Sequence, residues 1–323
     1  MTATRLPRAS AFAAFLLFNF SITSMTHAAE RDFSETLDQS WNFNAPAISE
    51  SRFRAELAKH VVGSREAREI ATQIARSLGL QRRFTDADAM LDPLQPEIDK
   101  GPVRIRVRYL IERGRILNSS GKPAEAVPLF REAASAALKD PLAGADFYRV
   151  DALHMLGIAA PTHERLRWNL EALAVADASR DERARGWRAS LLHNIGWTYH
   201  ERGEYATAVD YWQHALAARE AGGDKAKIRI AKWTVARGLR SLNRLDEAEK
   251  IQRELSAEND EAGAPDGFVY EELAEIALAR HDAAAAKMWA AKAYAYLKDD
   301  IWLAANEKSR LDRLAEIGAA RVQ

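Results

Sequence analysis

Over 323 residues the chain carries 46 basic and 46 acidic side chains, is 47% hydrophobic, and contains no cysteine. The balanced charge argues against nucleic acid as a partner, because such binding draws on a basic surface. The missing thiols exclude disulfides, thiolate nucleophiles and cysteine-ligated zinc.

The first 30 residues have their own logic. Arg5 and Arg8 precede an apolar run from about Ala11 to Met25, and small residues follow at Ala28 and Ala29. A charged start, a short apolar core and a small-residue end form a secretory signal peptide over residues 1–28. Cleavage after Ala28 puts Thr26 at the −3 position, whereas cleavage one residue later would put the bulkier His27 there. An uncleaved anchor and a mitochondrial presequence are the competing readings. The apolar run is short for a span of about 20 residues and Asn19 interrupts it. The expected location is periplasmic or secreted, with no stable membrane insertion after cleavage.

Residues 29–64 are expected to form an N-terminal extension and leading helix. The stretch from Arg31 to Ala47 reads as extended and loop-like, and Ser49 and Ser51 offer caps to a helix beginning near Glu50. Abundant alanine and sparse glycine and proline favour helix throughout the rest.

From residue 65 to 300 a pattern repeats. In the segment SLLHNIGWTYHERGEYATAVDYWQHALAARE, Leu192, Ile195, Gly196 and Tyr199 make one helical stripe. Gly203 permits a turn, and Ala208, Trp212 and Ala215 make the stripe of a return helix. The glycine inside the first helix lets its partner approach closely. The small residues Ala75, Gly114, Gly157, Gly196, Ala236 and Ala274 recur at steps of 39, 43, 39, 40 and 38 residues. In the third unit the turn at Pro161 arrives about four residues early. The residues around Gly196 resemble the tetratricopeptide repeat, with Leu192 in place of that family's tryptophan. The whole is also similar to secreted or cytoplasmic bacterial repeat proteins for which no activity is established. The resemblance implies an all-α, right-handed α-solenoid of about six helical hairpins. Residues 301–323 would close it as an amphipathic capping helix whose polar face, with Lys308, Arg310, Asp312 and Arg313, solvates the open end.

In such a stack the first helices line a concave groove. Their non-packing face carries Arg115, His154, His193, Asn194, Trp197, His200, Trp233, Arg237 and Glu271. His154, His193, Trp233 and Glu271 fall at one equivalent position and are expected as a ladder with rungs about 10 Å apart. Large aromatics beside mixed polar groups in a concavity suit recognition of a protein or peptide segment. Each also has a packing reading: Trp197 bridging to Trp233, and Arg237 and Arg240 pairing with Glu271 and Glu275. Tyr199, Tyr205 and Trp212 are assigned to the core.

Chemistry has weaker support. No H-E-x-x-H, G-x-S-x-G, G-x-x-x-x-G-K or G-x-G-x-x-G occurs. The expectation is a non-enzymatic receptor or adaptor with no cofactor and no metal. The alternatives are a structural scaffold using the convex face or the ends, or a histidine-dependent enzyme built on His154 and His193. The lysine and asparagine clamp that marks chaperone-tail binders is not reproduced beyond Asn194.

Overall fold

The computed structural model describes residues 33–140 and 144–320, so the signal-peptide expectation for residues 1–28 lies outside the described residues. Among the described residues there is no strand. The chain divides into two compact units, meeting in sequence between Trp187 and Arg188.

The first unit begins with a short helix over residues 33–39 (α1). This corrects the loop expected there: Ser34 and Leu37 share one face of the helix and are fully buried, with Phe33 half-buried beside them. The next helix, α2 (Pro46–Leu57), starts four residues before Glu50 and has no side-chain cap. Proline at its first position pre-sets φ and needs no hydrogen-bond acceptor, so a cap is dispensable. Ser49 instead sits inside the helix, where its Oγ accepts from Asn42 N at 2.8 Å and donates to Asn42 O at 3.1 Å. Three hairpins follow. They are α3 (Arg65–Leu80) with α4 (Phe84–Leu91), α5 (Val103–Ser119) with α6 (Pro123–Leu138), and α7 (Ala145–Ala159) with α8 (Thr162–Ala178). A 3-10 turn carrying Pro93 and Pro96 extends α4 (Asp92–Glu97), and the short helix α9 (Glu182–Arg185) ends the unit.

The second unit holds three more hairpins. They are α10 (Arg188–Glu201) with α11 (Tyr205–Gly222), α12 (Lys225–Ser241) with α13 (Leu245–Glu261), and α14 (Gly267–Ala279) with α15 (Ala283–Leu297). The expected single capping helix is two, α16 (Ile301–Asn306) and α17 (Lys308–Ala319), broken at Glu307 with φ −134°. The break lets Leu303, Leu311 and Leu314 all enter the core formed with Tyr270, Ala290, Ala293 and Leu297.

At three first helices a glycine is where the second helix presses in. A Cβ on Gly114 would lie 2.5 Å from the Phe130 ring, and one on Gly157 would lie 2.5 Å from the Asn169 amide. On Gly196 it would overlap the indole of Trp212. Phe130 and Trp212 follow their glycines by sixteen residues, Asn169 by twelve. The missing four come largely from the end of α7, which stops two residues after Gly157, whereas α10 continues five residues past Gly196. Four residues are close to one helical turn, so the face of the return helix is preserved.

Five hairpins share one turn. Arg82, Gly121, Gly203, Asn243 and His281 all have φ between 58° and 88°. The next residue's N–H closes back on a carbonyl five positions earlier, as in Glu204 N to Tyr199 O and Arg244 N to Leu239 O, both 2.9 Å. This is a Schellman closure, which favours glycine at the left-handed position. The exposed His281 adopts it against its steric preference, at about 1–2 kcal/mol. His281→Gly should therefore stabilise the chain by about 0.5–1 kcal/mol, after allowance for glycine's extra freedom when unfolded. Urea unfolding checks this through a higher midpoint.

Candidate functional site

On α10, Leu191, Leu192, Ile195 and Gly196 are buried, while Ser190, His193, Asn194, Trp197 and His200 stay partly open. The partly open residues recur every three or four positions, one stripe of the helix. What holds them is Trp212 of α11. Its ring, 1% exposed, lies against Gly196, and its Nε1 donates to His193 O at 3.0 Å. Trp197 stands edge-on to that ring at 5.0 Å and is flanked by His193 at 6.2 Å and His200 at 5.6 Å. Trp197 Nε1 donates to His193 Nε2 at 3.0 Å, which requires a neutral imidazole with its proton on Nδ1. His200 Nε2 lies 2.9 Å from Ser241 Oγ on the next first helix. Ser241 Oγ also lies 3.2 Å from Arg237 O, to which it can donate; when it does, His200 is the donor to Ser241.

On α12, Trp233 Nε1 donates to Phe268 O at 3.1 Å, and its ring packs on Leu255, Val269 and Leu273. The Arg237 guanidinium sits 5.6 Å from the Trp197 ring centre and 5.7 Å from that of Trp233, within cation–π range of both. Arg237 and Arg240 share Glu272 at 2.5 and 2.7 Å, and Glu272 is 1% exposed. The expected partners Glu271 and Glu275 are engaged elsewhere. Both oxygens of Glu271, which is buried, accept from Arg310 at 2.6 Å, and Glu275 pairs with Arg313. Helix α17 therefore neutralises the last carboxylates of the stack rather than simply presenting a polar face to water.

His193, Asn194, Trp197, His200, Trp233 and Arg237 thus all belong to the second unit and form its partly open face. Glu271 lies in the same unit, beneath Arg310. Trp212 is core as expected, whereas Tyr199 and Tyr205 are only half-buried; Tyr199 stacks on Tyr211 at 5.4 Å.

Arg115 and His154 belong to the first unit. Arg115 links Glu112, at 2.5 Å, to Asp151. Burial raises the Glu112 carboxyl above its ordinary range. Burial also opposes ionisation of Asp151, but Arg115 and Arg76 outweigh it and hold that carboxyl low. His154 packs on Trp187 at 4.8 Å.

The inner face of the first unit also holds residues the sequence reading passed over. Helix α1 lies across α3 and α5 and reaches Arg183 beside α7. Ser34 donates to Glu69 at 2.6 Å, and Asp38 accepts from Arg108 at 3.0 Å and Arg183 at 3.2 Å. Trp41 Nε1 donates to Gln73 at 3.0 Å, and the Arg76 guanidinium lies 5.2 Å from the Trp41 ring centre. Arg108 also donates to Tyr148 Oη at 2.6 Å and stands 2.9 Å from Glu69, off the axis of a hydrogen bond, so that contact is an ion pair. The available signal was the spacing Arg104, Arg108 and Glu112 on one face of α5, at i, i+4 and i+8.

Burial is the main reason that both His154 and His193 are pushed down to about 4, with Arg115 and Arg219 adding to it respectively. In the unfolded chain they titrate near the ordinary value of 6.5. The unfolded state therefore binds protons first as pH falls. Their contribution to stability is complete above about pH 6.5 and is lost progressively toward pH 4. Melting temperature should fall across that window, and His154→Gln with His193→Gln should flatten the fall.

Among the described residues no group of three or more His, Asp or Glu has metal-holding geometry, and no helix is long and apolar enough to cross a membrane.

Two tetratricopeptide-repeat family profiles match the chain, over residues 108–184 and 188–221. No curated protein matches the sequence. Among solved structures, the apo form of RapI superposes with a TM-score of 0.65 at 10% identity, over 88% of this chain and 83% of that one. NprR in complex with its cognate peptide NprX gives 0.53 at 16%, over 89% and 84%. PilW, a type IV pilus biogenesis factor, gives 0.55 at 18%, over 78% and 100%. At these identities the likeness is one of fold. The matched profiles identify tetratricopeptide repeats in this chain, and the six hairpins, two of them with an aromatic of the second helix seated on a first-helix glycine, have the helical-hairpin form of that repeat.

Proposed function

We propose that the chain is a non-enzymatic receptor or adaptor that binds a protein or peptide segment on the partly open face of the second unit. The observation that carries this is the cluster of Trp197, Arg237 and Trp233, two half-buried indoles on neighbouring first helices with a guanidinium within reach of both. Indoles supply apolar area with few rotamers to freeze, and arginine supplies hydrogen bonds to carbonyls or carboxylates. His193 and Asn194 flank them on the same stripe. NprR, whose fold this chain shares, holds a peptide in its solved complex. A few such contacts, less the ordering of a flexible segment, give a dissociation constant of about micromolar.

We further propose export by residues 1–28, which places the mature chain in the periplasm or outside the cell. The second reading, assembly through an end of the stack, draws on Ile301 and Trp302, which are 87% and 59% exposed on α16.

A pull-down with the mature chain beside its Trp197→Ala/Trp233→Ala variant tests the first reading. Because Trp197 rests on Trp212 and Trp233 on Leu255, thermal melts followed by circular dichroism accompany the assay, and it is run where both proteins are folded. A partner held by the wild type and lost by the folded variant supports the face; identical captures refute it.

A further inference from the structure

We propose that the inner face of the first unit is a second recognition surface, for an acidic, aromatic-ended helical segment, and that residues 33–44 of this chain are its resident, displaceable occupant. The inference stands apart from the reading of the second unit.

The contacts of α1 have the layout of a bound helix. Ser34, Leu37 and Asp38 recur at i, i+3 and i+4, the spacing by which an amphipathic helix is read in a groove, and Trp41 follows two residues past the helix end. The receiving side chains come from separate elements: Glu69 and Gln73 on α3, Arg108 on α5 and Arg183 on α9. Three polar groups of the segment meet matched partners on that face. The Ser34 hydroxyl donates to a carboxylate, the Asp38 carboxylate meets two guanidinium groups, and the Trp41 N–H meets an amide oxygen.

The composition of the contact argues that it opens. Leu37 is the one apolar side chain of α1 that is fully buried. Phe33 and Trp41 pack edge-on against His60 and Phe53 on the α2 side, while the segment meets α3, α5 and α9 through charge pairs, hydrogen bonds and the Arg76 guanidinium near the Trp41 ring. Such pairs exchange water for protein partners with little net gain, so they give selectivity more than strength. Seven helical residues cannot hold themselves as a helix in water, so α1 depends on the face it covers. Its attachment to α2 through a short connection supplies an effective concentration of about millimolar, which keeps it in place without tight intrinsic affinity.

A competitor of the same chemistry then binds poorly to the wild type and well once the resident segment is weakened. The probe is a fluorophore-labelled synthetic peptide of residues 33–46 (FSETLDQSWNFNAP). The receptor is the full chain, either wild type or carrying Asp38→Lys, which sets a cation against Arg108 and Arg183 and leaves the receiving face unaltered. Fluorescence polarisation should show the peptide binding the Asp38→Lys chain at least tenfold more tightly than the wild type. A peptide carrying its own Asp38→Ala change should lose at least tenfold of that affinity. Equal binding to both chains, binding to neither, or indifference to the peptide's aspartate would overturn the proposal. Should Asp38→Lys lose helical signal, the milder Asp38→Asn chain is read by the same criteria.

Discussion

Replacing Trp212 with alanine should destabilise the protein by about 3–5 kcal/mol, the range for emptying a fully buried indole site. The ring is 1% exposed and fills a space left by two glycines, Gly196 on α10 and Gly238 on α12. It packs with Ala208, Val209, Val235, Leu239, Ala248 and Ile276. Trp212 is thus the largest fully buried side chain where the fourth and fifth hairpins meet. Helix backbones cannot close such a gap, so a cavity remains. The variant also leaves the His193 carbonyl without its indole donor. In a stacked-repeat protein stability is a sum of local and nearest-neighbour terms, so the loss falls on the second unit. Urea unfolding should show that unit melting before the first, where the wild type unfolds with a steeper transition. Trp212→Phe keeps most of the packing and removes the hydrogen bond, and should cost about 1.5 kcal/mol or less. A Trp212→Ala midpoint within error of the wild type would mean that the indole is not what joins these hairpins.

Arg108→Met should cost about 3–5 kcal/mol in the first unit, because it strands buried carboxylates. Arg108 is 3% exposed and Glu69 is equally buried at 3%. Nearby acids, Asp38 and Glu69 among them, outweigh burial and hold the guanidinium above its ordinary range. Without it, Glu69 and Asp38 each lose a buried guanidinium partner, while Ser34 still donates to Glu69 and Arg183 still meets Asp38. The informative companion is the double variant Arg108→Met/Glu69→Met. It removes both buried charges and should recover most of the lost stability, since an apolar pair of similar volume often matches or exceeds a buried ion pair. Denaturation of the two variants measures the coupling. A single variant losing under about 1 kcal/mol would show that water reaches this network.

The architecture was legible because it follows local rules that repeat. Gly114, Gly157 and Gly196 marked where a second helix presses in, and Gly203 and Gly121 marked left-handed turns. The early turn at Pro161 was legible as a four-residue deficit, and α7 absorbs most of it by losing close to one turn. The N-terminal segment was not legible. SETLDQS has no apolar period of its own, and its partners lie as far away as Arg183, 145 residues along the chain. Helicity there comes from tertiary contact, which no local pattern reports. The site was legible in its residues and not in their pairing. Glu271 and Glu272 are neighbours in sequence but about 100° apart around the helix, so one serves Arg310 and the other Arg237 and Arg240. Choosing between them requires knowing where α17 lies.

Recognition is proposed to use the partly open face of α10 and α12. A photo-cross-linking residue, benzoylphenylalanine, placed in turn at Asn194 and Trp197 on that face, and at the exposed Gln213 and Met288 on the second helices, tests it most directly. Adducts to one common partner from positions 194 and 197, and none from 213 and 288, are the expected result. Adducts from 213 or 288 with none from 194 and 197 would contradict it and assign recognition to the outer surface.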